Sequence, residues 1–131
     1  MANWRDGAGT LRVGAAESPL EILLEIPLEV AASYRARTRG LLGRDGLTGA
    51  LLLTPAASVH TFGMRFAIDV AYLDRRLRVI AVTTMAPGRL GLPRPRSRHV
   101  LEAEAGAMAG WGLRVGTPVQ MESAPRPAPG P

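Results

Sequence analysis

The chain has 131 residues, 47% of them apolar, no cysteine, and a net charge of +5 in which all sixteen basic residues are arginine. That length fits one domain able to bury a core of its own. The missing cysteines exclude disulfides, thiolate nucleophiles, iron–sulfur clusters and cysteine-ligated zinc.

Residues 1–9 read as a flexible arm, 10–122 as a single globular domain and 123–131, SAPRPAPGP, as a disordered Pro-rich tail. Asp6 and several glycines stand where a secretion signal needs an apolar core. No apolar run approaches the roughly 20 residues of a membrane span. The expectation is a cytoplasmic monomer with no membrane association.

A short strand is expected at 10–13, TLRV, followed by a turn at 14–19. In LEILLEI, 20–26, alternation puts Leu20, Ile22, Leu24 and Ile26 on one strand face. The period then changes. Ala31, Tyr34, Thr38 and Leu41 are spaced for a helix over Ser33–Leu42, with Ser33 as N-cap, Gly43 as C′ residue, and Arg35 and Arg39 on another face. GALLL, 49–53, is a buried strand ended by Pro55.

HTFGMRFAIDVAYL, 60–73, reads as a long strand that turns at Asp74–Arg76 into LRVIAVTTM, 77–85, its hairpin partner. Residues 86–97 form a proline-punctuated loop. RHVLEAEA, 98–105, is a further strand and GAMAGWGL a helical turn. TPVQM, 117–121, closes as an edge strand, because Pro118 cannot donate to a ladder. The fold expected is mainly β: a compact antiparallel barrel or sandwich of about six strands with one short helix packed on it.

Five pieces in order, RTRGLLGRDGL (37–47), GALLL, HTFGMRFAIDVAYLD, VLEAEAG (100–106) and GLRVG (112–116), resemble the domain of unknown function family 192. The resemblance runs from about Val30 to Met121. It implies a small, mainly β domain of bacteria and archaea with no established activity and no known cofactor. Asp69 matches the family Asp and Glu102 the family Glu. The family's commoner Phe-Trp-Met-x-Asn-Thr stretch is altered here, without the Trp, Asn and Thr, and Ala67 stands where Pro is usual.

Read as an unbroken strand, 60–69 sends His60, Phe62, Met64, Phe66 and Ile68 to the core and Arg65 and Asp69 to the other face. Arg65 and Asp69 then lie roughly 13 Å apart and need separate partners. His60 and Asp69 fall on opposite faces and make a poor dyad. Glu102 and Glu104 share a face about 7 Å apart, where ion pairs with the surplus arginines are the simpler reading. Seven arginines and no acid lie between Arg75 and Arg98, a source of positive field. With no interleaved aromatics, nucleic acid is not the favoured partner of that segment. Two histidines without ligand spacing give no metal site, and no cofactor or phosphate-loop motif is present.

The leading expectation is a non-catalytic binding or accessory module for an anionic small molecule or a protein segment. Its candidate residues are Arg39, His60, Arg65, Asp69, Arg89 and Glu102. The alternative is a hydrolase using Asp69 or Glu102 with His60. A weaker one is electrostatic nucleic-acid binding through residues 86–98.

Overall fold

Long stretches of β-branched and aliphatic residues broken by Gly and Pro build a sheet rather than helices. The computed structural model describes residues 4–124. Its elements are β1 (Gly7–Val13), β2 (Leu24–Ala31), α1 (Tyr34–Arg39), β3 (Ala50–Leu53), β4 (Ile68–Leu73), β5 (Val79–Met85), β6 (His99–Glu104), α2 (Ala107–Gly110) and β7 (Val119–Ser123).

The seven strands form one mixed sheet in the order β5-β4-β6-β3-β2-β1-β7. Every pairing is antiparallel except β2 with β3, which the crossover through α1 makes parallel. The sheet curls until its edges meet at one end, where Arg78 bridges Pro118. No ladder continues from that bridge, so the sheet stays open and sandwich-like. The mainly β, α+β expectation is correct, with seven strands and two short helices in place of about six and one.

Both sheet faces are covered. On the first, Leu28, Val30, Leu52, Ala71, Leu73 and Leu101 pack with Met108 of α2 and Leu113. On the second, Leu51, Leu53, Val70, Tyr72 and Val100 pack under Leu41, Leu47, Val59 and Met64 from the connections between β2 and β4. β3 and β4 are therefore buried on both sides along their whole length, which explains their unbroken apolar runs.

Two expected strands are corrected. LEILLEI does not form a strand at 20–23: Leu20 and Ile22 are 91% and 93% exposed. Ser18 holds that segment in a turn, accepting from Glu21 N–H at its carbonyl and from Leu20 N–H at its hydroxyl. β2 begins at Leu24 because β1 ends opposite it, with Val13 paired to Leu24.

The second correction is 60–67, which is loop. Gly63 has φ +75°, and Met64 N–H closes a turn on the Thr61 carbonyl. Thr61 is fully buried and anchors the loop 86–89: its hydroxyl donates to the Ala86 carbonyl and accepts from Arg89 N–H. The expected alternation inverts over 60–62 as a result, while Met64 and Ile68 still reach the core. Thr61 points in, while His60 and Phe62 are exposed and stack on each other.

The segment read as an arm over residues 1–9 supplies Gly7–Gly9 to β1, and Asp6 accepts from Ala32 and Ser33 N–H ahead of α1. Ser33 caps α1 as expected, accepting from Ala36 N–H. The helix ends at Gly40 rather than running to Leu42, because Gly40 adopts φ 46°, ψ −125°, a conformation open to glycine alone. Most of the expected tail, 125–131, lies outside the described residues. No helix among the described residues is long and apolar enough to cross a membrane.

Candidate functional site

On the second face, one row of residues crosses the sheet. Val70 of β4 pairs with Glu102 of β6, which pairs with Leu51 of β3, which pairs with Glu29 of β2. Glu102 thus stands among aliphatic neighbours at the centre of the sheet, 3% exposed. Burial pushes its carboxyl up to about 7, and no hydrogen bond or cation among the described residues offsets that cost. Among the described residues Glu102 makes no ion pair with the surplus arginines, which corrects that reading of it. Glu104 accepts from Leu47 N–H in the loop after α1, so the two glutamates do not act as a pair.

Glu102 lines a cavity of about 90 Å³ with His60, Ser58, Met64, Arg37, Arg39 and Gly40 among its walls. Gly40 runs close above the carboxylate: a Cβ there would sit 4.0 Å from Glu102 Oε1. Arg37 donates from its terminal nitrogen to the Pro55 carbonyl, but its Nε is buried without a partner. Glu102 therefore has no hydrogen-bond partner among the described residues, and Arg37, on the wall of the same cavity, keeps a buried Nε without one, which costs stability unless something satisfies it.

Across the Arg39–Gly40 turn lies a groove of about 370 Å³, lined by Arg35, Arg39, Arg44, Glu29, Asp6 and Ser33 among others. Arg44 is committed to Glu29 through two 2.8 Å contacts, and that hydrogen bonding holds the Glu29 carboxyl below its usual range. Arg35 and Arg39 have no carboxylate partner among the described residues. Their spacing of four on α1 turns both into the groove.

The structure thus joins three of the six candidates, Arg39, His60 and Glu102, at one cavity. Arg65 makes an exposed 3.2 Å ion pair with Asp45. Arg89 is exposed and holds Thr61 through its backbone. Asp69 is on the first sheet face, accepting from Thr84 Oγ1 at 2.7 Å and from Gly106 and Met108 N–H at 2.9 and 3.1 Å. It positions α2 and has no part in the cavity. A hydrolase pairing of Asp69 with His60 is therefore ruled out by geometry. Gly40 and Thr61 carried no chemical signal in the sequence, since their roles are set by chain path. No group of three His, Asp or Glu suited to a metal is found among the described residues.

The family described as Uncharacterized ACR, DUF192, matches residues 17–121. A UPF0127 protein of Pyrococcus horikoshii is 33% identical over 84 residues, 60% of this chain and 73% of the relative. One from Pyrococcus abyssi is 29% identical over 98 residues, covering 71% and 84%. A protein of unknown function from Novosphingobium aromaticivorans has the same fold, with a TM-score of 0.71 at 19% identity over 85% of this chain and 83% of that one. A solved chain from Sinorhizobium meliloti gives 0.75 at 14% identity, covering 92% and 98%.

Proposed function

The chain belongs to the DUF192 family of uncharacterised proteins, and from that premise we propose that it is a binding module for a small organic anion that also carries a hydrogen-bond donor, such as a hydroxy or amino acid. The observation that carries this reading is the buried Glu102 carboxyl without a hydrogen-bond partner among the described residues, in a cavity that shares Arg39 and Gly40 with an arginine-lined groove. The anionic end of the ligand meets Arg39 and Arg35. The donor end enters the small cavity and satisfies Glu102, while its own lone pairs accept from Arg37 Nε. A donor on Glu102 favours the charged carboxylate, so binding near pH 6 releases a proton.

Thermal-shift measurements with glycolate, lactate, malate and glycine, set against acetate and succinate, test the proposal. The donor-bearing acids stabilise the protein more, and Arg39→Ala and Glu102→Gln each remove the difference. Equal or absent shifts for both groups of acids sink it.

A second reading is favoured by one observation. A carboxyl titrating at about 7 is matched to general acid–base catalysis at neutral pH, and His60 stands on the same cavity. Turnover of an ester or lactone panel that is lost in both Glu102→Gln and His60→Ala supports this reading. Turnover that survives Glu102→Gln removes it.

A further inference from the structure

The opposite face of the sheet carries a second cleft, of about 650 Å³, lined by Trp4, Thr54, Pro55, Arg75, Leu77, Arg98 and His99. Its volume is within the usual range of small-molecule sites, roughly 300–1,000 Å³. Trp4, Pro55 and Leu77 give it apolar surface. Trp4 meets His99 edge to face, with ring centroids 6.1 Å apart. Thr54 Oγ1 and His99 Nδ1 share a 2.7 Å hydrogen bond that fixes the imidazole. Burial and the Arg98 charge hold His99 below its ordinary range, so it presents a neutral ring with one donor and one acceptor.

The mouth of this cleft is strongly basic. Arg75 and Arg98 are shared with an adjoining hollow of about 450 Å³ that adds Arg76 and Arg96. None of these four arginines has an ion pair among the described residues. The one acid there, Asp74, already accepts from Arg76 and Arg78 N–H at Oδ1. A guanidinium pair at the rim suits the oxygens of a phosphate, and the flat indole behind it suits an aromatic ring.

We propose that this cleft binds a phosphorylated aromatic ligand of the nucleotide class, its ring against Trp4 and its phosphate between Arg75 and Arg98. The sequence argument against nucleic acid was the lack of aromatics among the arginines of 86–98. The fold supplies one from residue 4.

Trp4 reports on its own site, because the only other tryptophan is Trp111. In a Trp111→Phe background, adenosine monophosphate is expected to quench Trp4 fluorescence saturably. Adenosine or inorganic phosphate alone binds at least about tenfold more weakly. Arg75→Ala with Arg98→Ala weakens the nucleotide by at least about tenfold at an unchanged melting temperature, since both side chains are exposed. Glu102→Gln has no effect.

A ten-nucleotide single strand separates the two sources of this chemistry. Binding no tighter than the monophosphate identifies a free nucleotide, and tighter binding lost in the same double variant identifies a strand. Absence of saturable quenching up to about 5 mM nucleotide, or quenching that survives the double substitution, overturns the proposal. Isothermal titration with Trp4→Ala, which is expected to lose binding, gives the same decision without the fluorophore.

Discussion

Asp69 accepts three hydrogen bonds from Thr84, Gly106 and Met108, whereas Glu102, as deeply buried, accepts none among the described residues. Removing each carboxylate therefore has opposite consequences. Asp69→Ala leaves the buried Met108 N–H without an acceptor and removes the acceptors of the Thr84 hydroxyl and the Gly106 N–H at the edge of the core, and should cost about 2–3 kcal/mol in urea denaturation. Glu102→Gln removes a charge that burial already disfavours. The Glu102 carboxyl ordinarily titrates at 4.5 and stands at about 7 in the fold. The folded state therefore holds its proton more tightly, so this group's favourable contribution is complete below pH 4.5 and is lost as pH rises through 7. The full loss is on the order of 3 kcal/mol. Melting temperatures of the wild type and Glu102→Gln should diverge between pH 5 and 7.5, with the variant the more stable at pH 8. Parallel curves would show that Glu102 finds a charge partner after all. Both carboxylates stood out in the sequence, and alternation alone put Glu102 on a sheet face. What separates their roles is donors at positions 84, 106 and 108, far away in the chain and recruited only by the fold.

The connection between β2 and β3 is anchored by side chains at three places, one ahead of α1 and two after it, and these contacts position the cavity roof. Arg44 grips Glu29 of β2, Glu104 of β6 accepts from Leu47 N–H, and Asp6 accepts from the backbone ahead of α1. Two glycines in this loop allow close approaches of different kinds. A Cβ at Gly46 would meet Glu104 Oε1 at 2.5 Å, the end of a side chain that can swing away. Gly46→Ala should then cost about 1 kcal/mol, the worth of the displaced bond to Leu47. A Cβ at Gly49 would meet the Pro27 carbonyl, and the backbone there has φ +78°. β2 cannot yield without breaking its ladders, so Gly49→Ala should cost roughly 3 kcal/mol or more. Denaturant midpoints for the two variants check the ranking, and equal midpoints contradict it. β3, β4 and β6 were readable from the sequence because each is buried over most of its length, and β5, buried only at Val79 and Met85, because its β-branched run follows a clear turn signal. The stretches 20–23 and 60–67 were misread for a common reason. Alternation reports side-chain chemistry, while a strand also needs a neighbour, and β1 ends before reaching 20–23 while Thr61 ties its own stretch to a loop.

Two-sided coverage of a single sheet also separates the two proposed sites. On β6, His99 belongs to the face of Trp4 and Leu73, while Glu102, three residues on, belongs to the face of Leu51 and Val70. The strand's alternation places a packed layer of backbone between them. The sites are bounded by the turn at Asp74–Arg76 and the start of β6 on one side and by α1 on the other, and they meet in the connection after β3, which gives Thr54 and Pro55 to the cleft and Ser58, His60 and Met64 to the cavity, with Arg37 donating to the Pro55 carbonyl. Ligands at the two sites should therefore act nearly independently, because the backbone of β6 lies between them and the direct link is the single hydrogen bond from Arg37 to the Pro55 carbonyl. With a nucleotide and a hydroxy acid both near saturation, the stabilisation should equal the sum of the separate effects to within about 0.5 kcal/mol. Salt should also distinguish them. Arg75, Arg76, Arg96 and Arg98 are exposed, and the screening length falls below about 10 Å above 0.1 M salt, so the nucleotide effect should shrink steeply between about 50 and 300 mM sodium chloride. The second ligand's anionic end on exposed Arg35 and Arg39 is screened as well, but its donor end meets a carboxyl shielded from solvent, so only part of its effect should be lost over the same range. Calorimetric melting at both salt concentrations, with each ligand alone and with the two together, decides the point. A sum that fails at both salts would mean that the two sites are coupled, through β6, which joins His99 to Glu102, or through the Arg37–Pro55 bond in the connection after β3.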